Sequence, residues 1–232
     1  MKGAHDSASG EFRGSGAAMM GRSAAHSGLD LREACLAEAL AIISTAGAEK
    51  LSLRDVARRL GVSHQAPYRH FASRDHLLAE IVRGAFADFA AALRSPPHTN
   101  DPASDLLAMG MAYIGFATAK PLQYRLMFGG SLPDPRQHPE MMQGARDAFN
   151  VLRDGIARLL EAQDEPHSRD VVDRNALFAW SSLHGVVSLL QTDAIGTLDL
   201  APQTRAEFTA LALQKVGAAL GIDTGGNGKD TQ

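Results

Sequence analysis

Between Lys50 and His76 the sequence gathers side chains suited to a polyanion. Lys50, Arg54, Arg58, Arg59, Arg69 and Arg74 stand against only Asp55 and Asp75, a local excess of four positive charges in a chain whose formal net charge is −3. A basic island in an otherwise acidic chain marks one surface for phosphate. His64, Gln65, Tyr68, Arg69 and His70 fall on the outward side of a short helical stretch, and hydrogen-bonding side chains so placed are what base edges and phosphates need. Arg74 opens the next helix, where the helix dipole assists phosphate contact. Taken alone, Arg54, Arg58 and Arg59 read better as a solvated helix face, a balance that the Gly61-Val62-Ser63 turn and the Ser73 cap reverse.

Other chemistry finds little support. His64, His70 and His76 recur every six residues, which turns them to different faces of a helix and speaks against a shared metal site. Cys35 is the single cysteine; it falls on an apolar stripe and suits packing better than nucleophilic catalysis. A glycine-rich phosphate loop, a nucleophile elbow and a His-Glu-x-x-His pattern are all absent from the sequence. The expectation is no catalytic residue, no metal and no cofactor.

The elements that must position the basic island follow from caps and periodicity. Ser52 caps a helix with apolar Leu53, Val56, Ala57 and Leu60, and Gly61 ends it in a conformation that glycine adopts freely. Val62 plugs the turn. Ser63 then caps a short second helix predicted to run to Phe71 and anchored by Ala66 and Phe71. Ser73 caps a third helix, Arg74 to Arg94, whose apolar residues from Leu78 to Leu93 exceed what a three-helix module requires. Its far end is therefore expected to reach a second domain. Before the turn, Leu31 to Ala46 carries Cys35, Leu36, Ala39, Leu40, Ile42 and Ile43 at helical spacing.

At 232 residues the chain allows one or two domains. Residues 1–28, rich in Gly, Ser and Ala, read as a disordered tail, and 222–232 as a flexible one. No signal peptide or long apolar run is evident, so a soluble, cytoplasmic protein without membrane association is expected. Three prolines within Ser95–Pro102 mark the domain boundary. Beyond it, helices are expected near 103–119, 122–128, 139–162, 169–195 and 203–220. The helix around Trp180 is apolar on two sides, and its small residues Ser181, Gly185 and Ser188 admit close approach of another helix. With the last helix it suggests a four-helix interface between two copies, an ordinary monomeric core being the alternative.

With these residues in place, 31–93 resembles the DNA-binding domain of the TetR family of bacterial transcriptional regulators. The resemblance runs through Ala39-Leu40, Ile43 to Gly47, Leu53-Arg54-Asp55-Val56-Ala57, Gly61-Val62-Ser63, Pro67-Tyr68-Arg69-His70-Phe71 and Arg74-Asp75-His76-Leu77-Leu78. Arg74 stands where the family often has lysine. More loosely, 105–217 resembles one ligand-domain subfamily through Trp180-x-x-x-His184-Gly185 and Tyr124 to Gly130.

The resemblance implies an all-α protein: a three-helix helix-turn-helix DNA-binding domain at 29–94, then a helical ligand-binding and dimerisation domain at 103–221. It implies Ser52, Tyr68, His70 and Arg74 as phosphate contacts, and His64, Gln65 and Arg69 as base-edge contacts, with Arg54 and Ser63 beside them. A small-molecule effector would sit between the helices of the second domain. Met109, Tyr113, Phe116, Met127, Phe128, Met141, Met142, Phe149, Trp180 and His184 are the candidate lining residues, a set that suits a moderately apolar ligand. Each Met or Phe taken singly is also explained as plain core, and His184 as a satisfied core histidine. The expected function is that of a homodimeric repressor, released by ligand from a palindromic double-stranded operator. A helical carrier or enzyme, or a DNA-binding activator without ligand response, are the alternatives.

Overall fold

The computed structural model describes residues 28–130, 132–165 and 167–222, so the expected tails lie outside the described residues except for Gly28 and Ile222. Every regular element among these residues is helical: α1 (Gly28–Ala46), α2 (Leu53–Leu60), α3 (Arg74–Arg94), α4 (Pro102–Ala119), α5 (Pro121–Phe128), α6 (Pro139–Ala162), α7 (Arg169–Leu190) and α8 (Pro202–Ala219), with short 3-10 turns between some of them.

The caps act where the sequence places them. Ser52 Oγ accepts the Asp55 amide at 3.1 Å and Ser73 Oγ accepts the His76 amide at 3.0 Å, each satisfying one of the free donors at a helix start. Gly61 closes α2 at φ 67°, in the left-handed region. Cys35, Ala39, Ile42, Leu53, Val56, Phe71 and Leu77 are buried together between α1, α2 and α3. Burial raises the Cys35 thiol above its ordinary pKa, which disfavours the reactive thiolate.

The expected second helix, Ser63 to Phe71, is not a regular α-helix. The chain makes a turn and then a 3-10 helix, Pro67–Arg69. Pro67 has no amide proton for the Ser63 carbonyl, and its ring crowds that carbonyl. The Ser63 oxygen accepts the Ala66 amide at 2.9 Å instead, tightening the stretch into three-residue turns. Pro67 is buried, and anchors the segment together with Phe71.

Prolines also move expected boundaries. Pro102, Pro121 and Pro202 stand inside the first turn of α4, α5 and α8 rather than before them, since the missing N–H costs nothing there. α1 begins earlier than expected, at Gly28. α7 stops at Leu190 rather than continuing to Ile195; Gln191 caps it and reaches across to donate to the Ala117 carbonyl at 2.9 Å. Ile222, expected in the carboxyl tail, is buried against the core, where Gln163 Nε2 donates to the Leu220 and Gly221 carbonyls and fastens the end of α8 to α6.

α3 joins the two halves. Its buried face runs from Leu77 to Leu93 and packs on α1 at one end and on α4, α5 and α6 at the other. α6 comes close because Gly144 faces it: a Cβ there would lie 3.3 Å from the Phe86 Cβ. The loop between α3 and α4 is held by Asp105 on α4, a carboxylate only 5 % exposed. It accepts the Thr99 amide at 2.9 Å and the Thr99 hydroxyl at 2.8 Å, and it faces Arg158 and His98 at 3.4 and 3.6 Å. The Thr99 hydrogen bonds, then His98 and Arg158, outweigh desolvation and hold its pKa below the ordinary carboxylate value. A depressed folded pKa contributes stability that is fully present above the unfolded value of about 3.9 and is lost as pH falls through the folded value. Asp105→Asn should therefore lower the urea midpoint at pH 7, and the gap to wild type should narrow below about pH 4.

Candidate DNA surface and ligand cavity

The α2–turn–α3 segment presents Arg54, Ser63, His64, Gln65, Tyr68 and Arg69 to solvent, with Ser52, His70 and Arg74 partly buried. Ser52, Arg54 and His64 border one shallow concavity with Val62. Tyr68 is 48 % exposed although it follows the buried Pro67; the anchored proline turns it outward.

The basic residues divide by their partners. Arg58 pairs with Asp55 at 2.5 Å, and Arg59 with Glu38 at 3.2 Å and Asp55 at 3.4 Å. Those pairs place Asp55 below its ordinary pKa, the Arg58 hydrogen bond leading. Arg74 is held at both ends, by Asp75 at 2.6 Å and by the Ala48 carbonyl at 2.7 Å. It ties the start of α3 to the turn after α1, a role its position in the sequence did not signal. Among the described residues Arg54 and Arg69 pair with no carboxylate, so their charge is turned outward.

A cavity of about 240 Å³ lies among α3, α4, α5, α6, α7 and α8. Of the ten candidates, Met109, Tyr113, Met127, Phe128, Met142, Phe149 and Trp180 line it. Phe116, Met141 and His184 do not line it. Phe116 packs on Phe89 at 5.1 Å between ring centres, and Met141 is buried in the core. His184 stands behind the wall, its Nδ1 2.7 Å from the Tyr124 hydroxyl. Sequence reasoning missed the contributions of Phe86, Phe89 and Leu93 on α3, of Val216 and Gly217 on α8, and of Leu220 just after α8. The unusual length of the α3 apolar face was the available signal.

One polar chain leads away from this wall. The Tyr113 and Tyr124 hydroxyls are 2.6 Å apart, Tyr124 meets His184 Nδ1, and His184 Nε2 faces Ser188 Oγ at 3.4 Å on the surface of α7. Burial raises Tyr113, raises Tyr124 to about 12, and lowers His184. All three are uncharged near neutral pH.

On the far side of α7, Leu177, Phe178 and Leu189 are about half exposed, as is Leu211 on α8. Ser181, Gly185 and Ser188 are exposed as well, with open space around Gly185. Among the described residues no cluster of His, Cys, Asp and Glu could hold a metal ion, and no helix is long and apolar enough to cross a membrane.

A capped three-helix module that exposes a polar turn, continued through one shared helix into a helical domain, is the fold of a helix-turn-helix transcriptional regulator. Residues 36–81 match the family described as bacterial regulatory proteins, tetR family, and residues 106–214 match the tetracyclin repressor-like, C-terminal domain. The chain belongs to the TetR family of transcriptional regulators. Over 119 residues it is 31% identical to HTH-type transcriptional regulator Rv1816 of Mycobacterium tuberculosis, a match covering 48% of this chain and 51% of that protein. The chain thus spans about half the length of the curated relatives it matches. Its fold is similar to that of a protein of unknown function from Rhodococcus sp. RHA1, at a TM-score of 0.67 and 27% identity over 82% of this chain and 94% of that one. A bacterial regulatory protein in the tetR family from Rhodococcus RHA1 superposes at a TM-score of 0.61 and 20% identity, over 81% and 97% of the two chains.

Proposed function

We propose that the protein is a homodimeric repressor, released from a palindromic operator by a small, moderately apolar ligand. The observation that carries this reading is that α3 holds Arg74 at its DNA end while Phe86, Phe89 and Leu93 on the same helix form cavity wall. In this reading a ligand that fills the cavity shifts α3 and with it the helix-turn-helix. The exposed faces of α7 and α8 pair with those of a second copy, setting two reading segments one helical repeat of about 34 Å apart. Coupling of this kind amounts to roughly 1–3 kcal/mol, and DNA then weakens ligand binding by the same factor.

Ser52, Tyr68, His70 and Arg74 take the phosphate role, and His64, Gln65 and Arg69 meet base edges, with Arg54 and Ser63 at the margin. Selection of bound fragments from the source genome by the purified protein at two salt concentrations tests the reading. It is supported by recovery of a palindrome that survives the higher salt, whereas binding without sequence preference that vanishes with salt defeats it. On that operator, Tyr68→Ala should weaken binding on all sequences, and Gln65→Ala should relax preference at one position. Equal loss on every sequence for both variants would refute the division of roles.

A further inference from the structure

We infer that the cavity takes an uncharged molecule of about the size of an eight-carbon alcohol or ketone, whose single oxygen is bound by Tyr113 and sensed through Tyr124 by His184. The inference rests on the cavity being the effector site. Its space of about 240 Å³ holds roughly eight water-sized groups at liquid density. Among the described residues that line it, only Tyr113 and Trp180 carry a side-chain O–H or N–H donor, and none is charged. A carboxylate or ammonium ligand would lose its hydration there without gaining a counter-charge. Phe86, Phe128, Phe149 and Trp180 supply flat apolar walls, so the bulk of the ligand is hydrocarbon.

The ordering of protons in the chain then follows. Each phenol has a single proton, and Tyr113, Tyr124 and His184 are linked at 2.6 and 2.7 Å. A ketone oxygen can only accept, so Tyr113 O–H donates to it. Tyr124 O–H must then donate to the Tyr113 oxygen, and His184 Nδ1–H to the Tyr124 oxygen. Bound ketone therefore fixes the Nδ1-protonated tautomer and leaves the Nε2 lone pair toward Ser188 Oγ, 3.4 Å away on exposed α7.

The only tryptophan in the chain, Trp180, lines the cavity, so its fluorescence reports occupancy directly. Wild type and Tyr113→Phe are titrated with octane, 1-octanol, 2-octanone, octanoate at pH 8 and octylammonium. Expected is binding of 1-octanol and 2-octanone at least tenfold tighter than octanoate or octylammonium. Tyr113→Phe should weaken the alcohol and ketone about tenfold, the scale of one neutral hydrogen bond, while octane changes less than threefold. Equal binding of octanoate or octylammonium overturns the inference, as does indifference of 1-octanol to the variant, or no response to any probe. If the variant loses octane binding too, the nitrogen spectrum of wild-type His184 with 2-octanone decides: an Nδ1-protonated ring supports the inference and an Nε2-protonated ring overturns it. These titrations contain no DNA. Selective binding of 1-octanol that fails to release an operator would overturn the repressor reading alone, whereas release by octanoate would overturn this one.

Discussion

If the exposed faces of α7 and α8 pair as proposed, replacing both Leu177 and Leu211 with glutamate should make the protein monomeric and weaken operator binding by at least a hundredfold. Both side chains are about half exposed on adjoining helices, Leu177 on the α7 face that also exposes Phe178 and Gly185, and Leu211 beside Leu107 and Met111 of α4; exposed apolar side chains of this kind suit an interface centre. In the dimer proposed here each carboxylate would be buried without a counter-charge, a cost of several kcal/mol. In the separate chain the same carboxylates face water, where surface substitutions change stability by about ±0.5 kcal/mol. The two effects are thus separable. Because an operator with two half-sites rewards simultaneous contact, loss of the dimer removes far more affinity than loss of any one hydrogen bond. Analytical ultracentrifugation with an operator titration checks it; a variant that stays dimeric and binds as wild type rules out this face.

Phe71→Ala carries the largest expected stability cost. The ring is 0% exposed, packs edge-on to His76 at 6.0 Å and lies under the Arg32 guanidinium at 5.7 Å. Through these contacts it seats the turn against α1 and α3. Truncating a buried phenylalanine costs about 3–5 kcal/mol, and the loss falls on a short segment whose only other deep anchor is Pro67. Thermal unfolding followed by circular dichroism should shift down by roughly 6–20 °C, at about 2–4 °C per kcal/mol for a chain of this size. Trp180 fluorescence, which reports the distant cavity, should respond less. A cost below about 1 kcal/mol would mean that the turn does not depend on this ring.

The parts of this fold that were legible in the sequence are those governed by local chemistry. Ser52, Gly61 and Ser73 announce helix ends through their own side chains or lack of one, and the α3 stripe announces a helix that must be covered along its whole length. The Ser63–Phe71 segment was misjudged because one proline removes a donor that a regular helix would need, which converts a favourable polar pattern into three-residue turns. The cavity was only half legible. Met109, Tyr113 and Trp180 have residue types that suggest a lining, but Phe116 and Met141 share those types and turn elsewhere, because side-chain direction depends on how neighbouring helices rotate. The Tyr113–Tyr124–His184 chain joins α4, α5 and α7, and no spacing within one helix could have disclosed it. Arg74 shows the same limit on the DNA side: its partners are the adjacent Asp75 and a carbonyl on a preceding turn.

The continuity of α3 has a mechanical consequence. From Arg74 to Phe89 the helix extends roughly 22 Å at 1.5 Å per residue. Pivoting about its cavity end by about 5° would carry the Arg74 end some 2 Å, more than the tolerance of a hydrogen bond of about 2.7–3.2 Å. A rod of that length turns a displacement too small to disturb the packing around a ligand into one large enough to break contact with a phosphate.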